Sequence, residues 1–423
     1  MPIGRDGKRG LTFKILVGMG AGLATGLLFN AIGVTGFLDT FVVEGLLHIG
    51  GAVFLASLKL LVVPLVFVSL VCGTAALEDV TKLGRVGVKT LGLYIATTAI
   101  AISLALLAAT AIQPGAGFDL ETDQSFQAKK APPLSEVIIN LFPSNPIEAM
   151  AEGNMLQIIV FAGLFGLALT LAGEPGKRTL KIFNDLNSVI MRLVMLLMSI
   201  APYGVFCLIA KVFALQGFGA MAPLLKYFFV VLGVLVFHAL VTYPSLLRTL
   251  AQLNPLAFFR KMRDPIALAF STASSNATLP ITLKTVEHKL GVRNSIASFT
   301  IPLGATINMD GTAIMQGVAT GFIAQAYGID LSATDYLMVV LTATLASIGT
   351  AGVPGVGLIM LAMVLRQVNL PVEGIGLILG VDRLLDMVRT TVNVTGDASV
   401  SCIVAVSEGQ FSRDVFRGEG ASR

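Results

Sequence analysis

Charge is scarce in this sequence. Only 13% of its 423 residues are Asp, Glu, Lys or Arg, against 55% hydrophobic residues and a mean hydropathy of +0.84. Soluble domains carry roughly 25% charged residues, so the deficit points to a bilayer environment. Length alone would suggest two or three soluble domains. The even spread of long apolar runs instead argues for one integral bundle, 1–423. The net charge of +4 is scattered, so no basic patch marks a nucleic-acid partner.

Cysteine is nearly absent. Cys72, Cys207 and Cys402 lie far apart inside apolar runs. That excludes a disulfide framework or metal-ligand spacing and leaves them as small packing residues. His48, His238 and His288 are isolated, match no ligand pattern and read as structural or interfacial. Arg5, Lys8 and Arg9 precede a long apolar stretch without an evident small-residue cleavage site, so the N-terminus reads as an uncleaved membrane helix.

A spanning helix needs about 20 mostly apolar residues. Candidates lie near 11–38, 46–77, 88–113, 155–173, 188–213 and 219–247, with further stretches at 265–283, 294–328, 336–365 and 372–407. The segment Pro132 to Asn154 reads as a broken lead-in to the fourth span. Short-loop Lys and Arg set orientation. Arg5, Lys8 and Arg9, then Lys82, Arg85 and Lys89, then Lys177, Arg178 and Lys181, then Arg260, Lys261 and Arg263 mark inside loops. The loops at Asp39 and at Asp119, Glu121 and Asp123 are acidic or neutral and read as outside.

That alternation breaks after the sixth span. Pro265–Leu283 is followed by a further inside-type cluster, Lys284, Lys289 and Arg293. A stretch flanked twice by inside signals does not cross. Its centre, Ser271-Thr-Ala-Ser-Ser-Asn-Ala-Thr-Leu-Pro280, is also too polar for lipid. A re-entrant hairpin satisfies both constraints. Thr344-Leu-Ala-Ser-Ile-Gly-Thr-Ala-Gly-Val-Pro-Gly-Val-Gly357 repeats the theme between the outside-type Asp330, Asp335 and Glu373. The fold class that closes this topology is an all-α membrane protein with eight crossings and two hairpins of opposite entry. Paired interrupted segments point to a transporter's site.

The last span carries Asp382, Arg383, Asp386, Arg389, Asn393 and Asp397. Steps of three and four stack all but Arg383 on one helical face. A charge at mid-bilayer costs at least about 2.5–3.5 kcal/mol, so this face needs partners or ligands. The guanidinium of Arg389 suits bidentate carboxylate recognition, and Asp386 suits an ammonium. Together they complement an acidic amino acid, whose main-chain carboxylate would meet hairpin hydroxyls and N–H groups. Arg383 is expected to face elsewhere or snorkel, without a role. Asn308-Met-Asp-Gly-Thr312 adds an intramembrane carboxylate, Asp310. With Asp397, Asn308 and carbonyls freed by Gly304 and Gly311, it forms an oxygen-rich set suited to a hard cation such as Na⁺. Thr97 and Thr98 could add hydroxyls.

The motifs Ser274-Ser-Asn-Ala-Thr-Leu-Pro280, Asn308-Met-Asp-Gly-Thr312, Gly349-Thr-Ala-Gly-Val-Pro-Gly355 and Asp386-Met-Val-Arg-Thr-Thr-Val-Asn-Val-Thr-Gly-Asp397 resemble the dicarboxylate/amino acid:cation symporters. Weaker similarity runs through Leu83-Gly-Arg-Val-Gly-Val-Lys89 and Pro114-Gly-Ala-Gly117. This resemblance implies a homotrimeric elevator with inverted repeats in the cytoplasmic membrane of a prokaryote, both termini inside. A scaffold, 11–77 and 132–213, would carry a moving part, 84–113 and 219–410, with hairpins near 258–291 and 334–370.

By the same resemblance, Asp386 binds the substrate amino group and Arg389, assisted by Thr312, its side-chain carboxylate. Asn393, Ser275 and the Val353 region hold the main-chain carboxylate, and Gly357 and Thr390 complete the substrate set. One Na⁺ site would use Asp397 with backbone of Gly304, Asn308 and Asn393. A second would use Asp310 with Tyr94, Thr97, Thr98 and Asn308. A third would use carbonyls of Thr306, Ser347, Ile348 and Thr350. No organic cofactor is implied.

The chain departs from some relatives. Ala273 and Met387 stand where those carry an extra arginine, with Arg383 nearby. Gln316 replaces the glutamate of proton-coupled mammalian members, and Asp397 stands where some proton-driven bacterial members carry asparagine. Both favour Na⁺-driven uptake of L-aspartate or L-glutamate over proton coupling. A C4-dicarboxylate carrier would need no amine acceptor, so Asp386 argues against it; a neutral amino acid carrier would not need Arg389. An intramembrane enzyme lacks a nucleophile–base set, and a pure channel leaves the Asp/Arg pair unexplained.

Overall fold

Proline, glycine and side-chain caps decide where the apolar runs become separate helices. The computed structural model describes residues 11–75, 84–118, 139, 142–348, 352 and 355–417. Among them the chain is helical, with an isolated antiparallel bridge between Val292 and Phe411 and no strand. Arg5, Lys8, Arg9, Lys82, the acidic loop at Asp119, Glu121 and Asp123, residues 132–138, 140 and 141 of the Pro132–Asn154 lead-in, Thr350, Val353 and the motif residues Gly349, Ala351 and Pro354 lie outside the described residues.

Helix α1 (Leu11–Ile32) is followed by a π-helical lead-in, Leu38–Leu47, that runs into α2 (His48–Ala75). The second apolar run therefore begins earlier than its composition indicates. Then come α3 (Arg85–Ile112), the short α4 (Pro146–Glu152) and α5 (Met155–Leu171). Asn145 caps α4 by accepting from the N–H groups of Ile147 and Glu148 at 3.0 and 3.3 Å, with Pro146 in the first turn. That is the placement Asn and Pro favour.

The run read as one span over 188–213 is two helices, α6 (Glu174–Met198) and α7 (Ala201–Gln216). Pro202 explains the break: without an N–H it fits the first turn of α7 but cannot extend the ladder of α6. Helix α8 (Met221–Phe237) passes through a π turn at His238–Thr242 into α9 (Tyr243–Leu250). Five described stretches are long and apolar enough to cross a membrane: Phe13–Ile32, Leu38–Ala75, Arg85–Ile112, Ala201–Gly219 and Met221–Leu250.

Two broken segments follow where the sequence placed hairpins. After α10 (Pro255–Lys261), helices α11 (Arg263–Thr272) and α12 (Ser275–Thr285) pack on one another. The chain reverses at Ala273, whose φ of +49° lies in the left-handed region, and Ser274 caps α12 by accepting from Ala277 N–H at 3.2 Å. Helix α13 (Asn294–Ile307) stops at Asn308 and Met309 before α14 (Asp310–Ala326). Helices α15 (Ala333–Ser347) and α16 (Val356–Gln367) form the second packed pair. A reciprocal Ser332/Asp335 capping box starts α15. Helix α17 (Ile375–Ser407) is unbroken, and α18 (Arg413–Arg417) closes the described chain.

Helix α1 lies along α7 at backbone contact. A Cβ on Gly18, Gly22 or Gly26 would sit 2.4, 2.7 and 2.6 Å from the carbonyl oxygens of Pro202, Phe206 and Ala210. Small residues four apart permit such approach within a membrane. Large apolar side chains on many helices, among them Phe37, Leu60, Leu107 and Phe229, are exposed. An exterior of that kind suits lipid contact. The core divides along α17: Leu377 through Val392 joins one hydrophobic cluster and Val394 through Ala405 another. Asn393 sits at that seam.

Candidate functional site

An α-helix brings residues three, four and seven apart onto one face. On α17 that face is a chain of alternating charges. Arg389, 1% exposed, donates to Asp382 Oδ1 at 2.8 Å and Oδ2 at 3.3 Å. Its Nη2 also donates to Asp386 Oδ1 at 2.8 Å. Both carboxylates approach to 2.8 Å, and Asp382 is the one held through both of its oxygens. Arg383, expected to face away, instead donates from Nη1 to Asp386 Oδ2 at 3.0 Å. The step from 383 to 386 is three residues, and a long guanidinium reaches sideways across it.

These bonds leave Arg389 Nε buried without an acceptor among the described residues. Gly357 and Thr312 border the same guanidinium: a Cβ on Gly357 would lie 3.3 Å from Thr312 Cγ2 and 3.6 Å from Arg389 Nη2. Gly311 lets α14 approach so closely that a Cβ there would lie 2.4 Å from the Arg389 carbonyl oxygen. The Gly311 N–H donates to Asn393 Oδ1 at 2.7 Å, and Asn393 Nδ2 donates to the Met309 thioether at 3.3 Å. The Thr390 hydroxyl donates to the Asp386 carbonyl at 2.8 Å. It bonds back to its own helix backbone, and no bond joins its hydroxyl to the charged side chains among the described residues.

The two hairpin tips meet. Ser274 Oγ donates to the Gly352 carbonyl at 2.8 Å, and Asn276 N–H donates to the same oxygen at 3.3 Å. A Cβ on Gly352 would lie 3.0 Å from Ser275 Cβ, so the buried Ser275 sits under the second tip. Ser347 Oγ donates to the Ile307 carbonyl at 2.9 Å, which ties the second hairpin to the end of α13 beside Ile348. Thr306 Oγ1 turns back to the Leu303 carbonyl at 2.8 Å.

A second polar centre lies one turn deeper. Asn308 Nδ2 donates to Asp397 Oδ1 at 2.9 Å, and Thr97 Oγ1 donates to Asn308 Oδ1 at 3.3 Å. Gly304 leaves room for both Asp397 and Tyr94: a Cβ there would lie 2.5 Å from Asp397 Oδ1 and 2.6 Å from the Tyr94 hydroxyl. Tyr94 donates to the Thr300 carbonyl at 2.9 Å. Asp310 accepts from Thr98 Oγ1 at 2.6 Å and from the Tyr243 hydroxyl at 2.8 Å. All are buried. The set offers carboxylate, hydroxyl, amide and carbonyl oxygens, the donors hard cations take.

Sequence reasoning missed two neighbours of this centre. His238, read as isolated, lies 3.4 Å from Asp310 Oδ2, and Tyr243 was not singled out at all. Both stand in the π turn joining α8 to α9 or directly after it, far from Asp310 in sequence. Only their polarity within an apolar run could have flagged them.

The sequence profile of the sodium:dicarboxylate symporter family matches residues 11–407. The chain belongs to that family. It is 38% identical to the proton/glutamate-aspartate symporter of Escherichia coli (strain K12) over 385 residues, 88% of each chain. It is 36% identical to the proton/sodium-glutamate symport protein of Bacillus caldotenax over 417 residues, 96% of each. It is also 34% identical to the C4-dicarboxylate transport protein of Rhodospirillum rubrum, covering 96% of this chain and 90% of that one. The resemblance carried by the four motifs is therefore borne out, and with it a multi-pass membrane transporter. In this symporter the two polar centres lie along one helix and one helix break, α17 and the Asn308–Met309 gap between α13 and α14.

Proposed function

We propose that this symporter imports L-aspartate or L-glutamate, driven by Na⁺. Arg389 would take the substrate side-chain carboxylate beside Thr312 and Gly357, with Asp386 on the ammonium. Ser275, Asn393 and the Val353 region would hold the main-chain carboxylate. The observation that carries this reading is the buried Arg389 Nε with no acceptor among the described residues. A guanidinium whose Nη atoms are already fixed by carboxylates is preorganised, so its Nε–H can meet a ligand at little ordering cost.

For the ions, Asp397 with backbone of Gly304, Asn308 and Asn393 is one proposed Na⁺ site. Asp310 with Tyr94, Thr97, Thr98 and Asn308 is another, and carbonyls of Thr306, Ser347, Ile348 and Thr350 a third. The family description and relatives named for proton/sodium–glutamate symport support Na⁺ as a co-transported ion. The wider proposal is a homotrimer of eight-crossing protomers in the cytoplasmic membrane, both termini inside. Scaffold 11–77 and 132–213 would stay fixed while 84–113 and 219–410, with both hairpins, move as an elevator.

The test is uptake of labelled L-aspartate by purified protein in liposomes, with Na⁺ and H⁺ gradients imposed separately. Accumulation under an inward Na⁺ gradient is expected. Accumulation driven by a proton gradient without Na⁺ would overturn the coupling.

A further inference from the structure

The last helix holds a second arginine, Arg383, in contact with the substrate face, and the proposed function gives it no role. Asp386 has both carboxylate oxygens occupied by arginine: Oδ1 by Arg389 Nη2 at 2.8 Å and Oδ2 by Arg383 Nη1 at 3.0 Å. The side chains of Arg383 and Asp386 are each 13% exposed, so this is not a solvated surface pair. From Asp382 through Arg389 and Asp386 to Arg383 the formal charges alternate and cancel.

We propose that Arg383 is a specificity-determining residue that substitutes for a substrate ammonium on Asp386, so that the site accepts C4-dicarboxylates as well as acidic amino acids. This rests on the assignment of Asp386 to the amino group and Arg389 to a carboxylate. An incoming ammonium competes with Arg383 for Oδ2. That exchange keeps Asp386 compensated but gives up a charge-assisted hydrogen bond. A dicarboxylate brings no ammonium and displaces nothing. Without Arg383, such a ligand would leave a largely buried carboxylate facing added negative charge, an arrangement that is strongly unfavourable. Asp386 alone therefore argues against a dicarboxylate; Asp386 already paired with Arg383 does not.

The alternative is a helix-stabilising pair at three-residue spacing, worth little and blind to ligand. The two accounts differ in what happens to the ratio of affinities. The experiment measures inhibition by succinate of labelled L-aspartate uptake, with direct binding of each ligand to the full-length protein at saturating Na⁺. The variants are Arg383→Gln, Arg383→Lys and Asp386→Asn. In the native protein succinate is expected to compete. In Arg383→Gln the succinate-to-aspartate ratio of dissociation constants should rise about 10- to 100-fold, the worth of one charge-assisted hydrogen bond, with aspartate binding tightened. Arg383→Lys keeps the charge and should restore much of succinate binding. Asp386→Asn should lose aspartate while retaining succinate.

An unchanged ratio in Arg383→Gln, or equal loss of both ligands in Asp386→Asn, overturns the proposal. Should Arg383→Gln fail to reconstitute, the Arg383→Lys and Asp386→Asn ratios decide alone. Native protein that binds aspartate but not succinate sinks this inference and leaves the acidic amino acid reading standing. Native protein that binds succinate but not aspartate sinks the reading itself.

Discussion

Arg389 donates to both oxygens of Asp382, at 2.8 and 3.3 Å, two turns back along the same helix. The pair fixes the plane of the guanidinium before any ligand arrives. Removing one acceptor should therefore act through geometry. Asp382→Asn is expected to weaken L-aspartate binding about 10- to 100-fold, the range for losing a charge-assisted bond. A titration of Na⁺-dependent aspartate binding checks it, and a change under twofold would remove Asp382 from a positioning role.

Arg389→Cys removes the carboxylate partner and empties the space next to Gly357 and Thr312. Uptake of L-aspartate should fall below detection while small neutral amino acids gain transport. Proteoliposome uptake of labelled aspartate and serine distinguishes this from misfolding, because an unfolded variant carries neither. Unchanged aspartate affinity would take Arg389 out of its assigned place.

Asp310 is held by Thr98 and Tyr243 at 2.6 and 2.8 Å. Thr98→Val removes an oxygen donor from the proposed cation set. It is expected to raise the Na⁺ concentration for half-maximal uptake by roughly tenfold, about 1.4 kcal/mol. Tyr243→Phe should produce a smaller shift, since its hydroxyl orients the carboxylate. Na⁺ activation curves that overlay the native one would refute the cation assignment of Asp310.

Gly311 allows a Cβ only 2.4 Å from the Arg389 carbonyl. Because the obstacle is backbone, Gly311→Ala must push α14 and α17 apart. A loss of about 1–3 kcal/mol is the usual cost of overpacking. Thermal unfolding in detergent and aspartate binding should decline together.

At the end of α17, outside the apolar run, Glu408 accepts from Lys89 at 2.5 Å and pairs with Arg85 at 3.2 Å. The hydrogen bond from Lys89, then the nearby positive charges, hold its carboxyl below the ordinary range. A depressed carboxyl stabilises the fold above its unfolded value, near pH 4.3, and loses that contribution as pH falls through the folded value. The native protein should melt above Glu408→Gln at pH 7, and the gap should close on acidification below the carboxylate range. A gap that widens in acid would contradict the pairing.

The division between what was legible and what was not follows from where information is stored. Charge is so costly in an apolar run that Asp382, Asp386, Arg389, Asn393 and Asp397 announced a buried functional face, and a period of 3.6 put them on it. The polar tip at Ser271–Pro280 and the glycine-rich tip at Thr344–Gly357 likewise announced broken helices. What sequence settled by itself was therefore an all-helical membrane chain, two interrupted pairs and a charged last helix.

Partners across elements are another matter, because periodicity fixes a face but not what it meets. Tertiary structure alone put His238 and Tyr243 on Asp310, set Gly352 over Ser274 and Ser275, and broke 188–213 at Pro202. Even within α17, spacing placed Arg383 off the polar stripe. Its long side chain reached Asp386 all the same, since rotamer and packing, not position, decide where a flexible guanidinium ends.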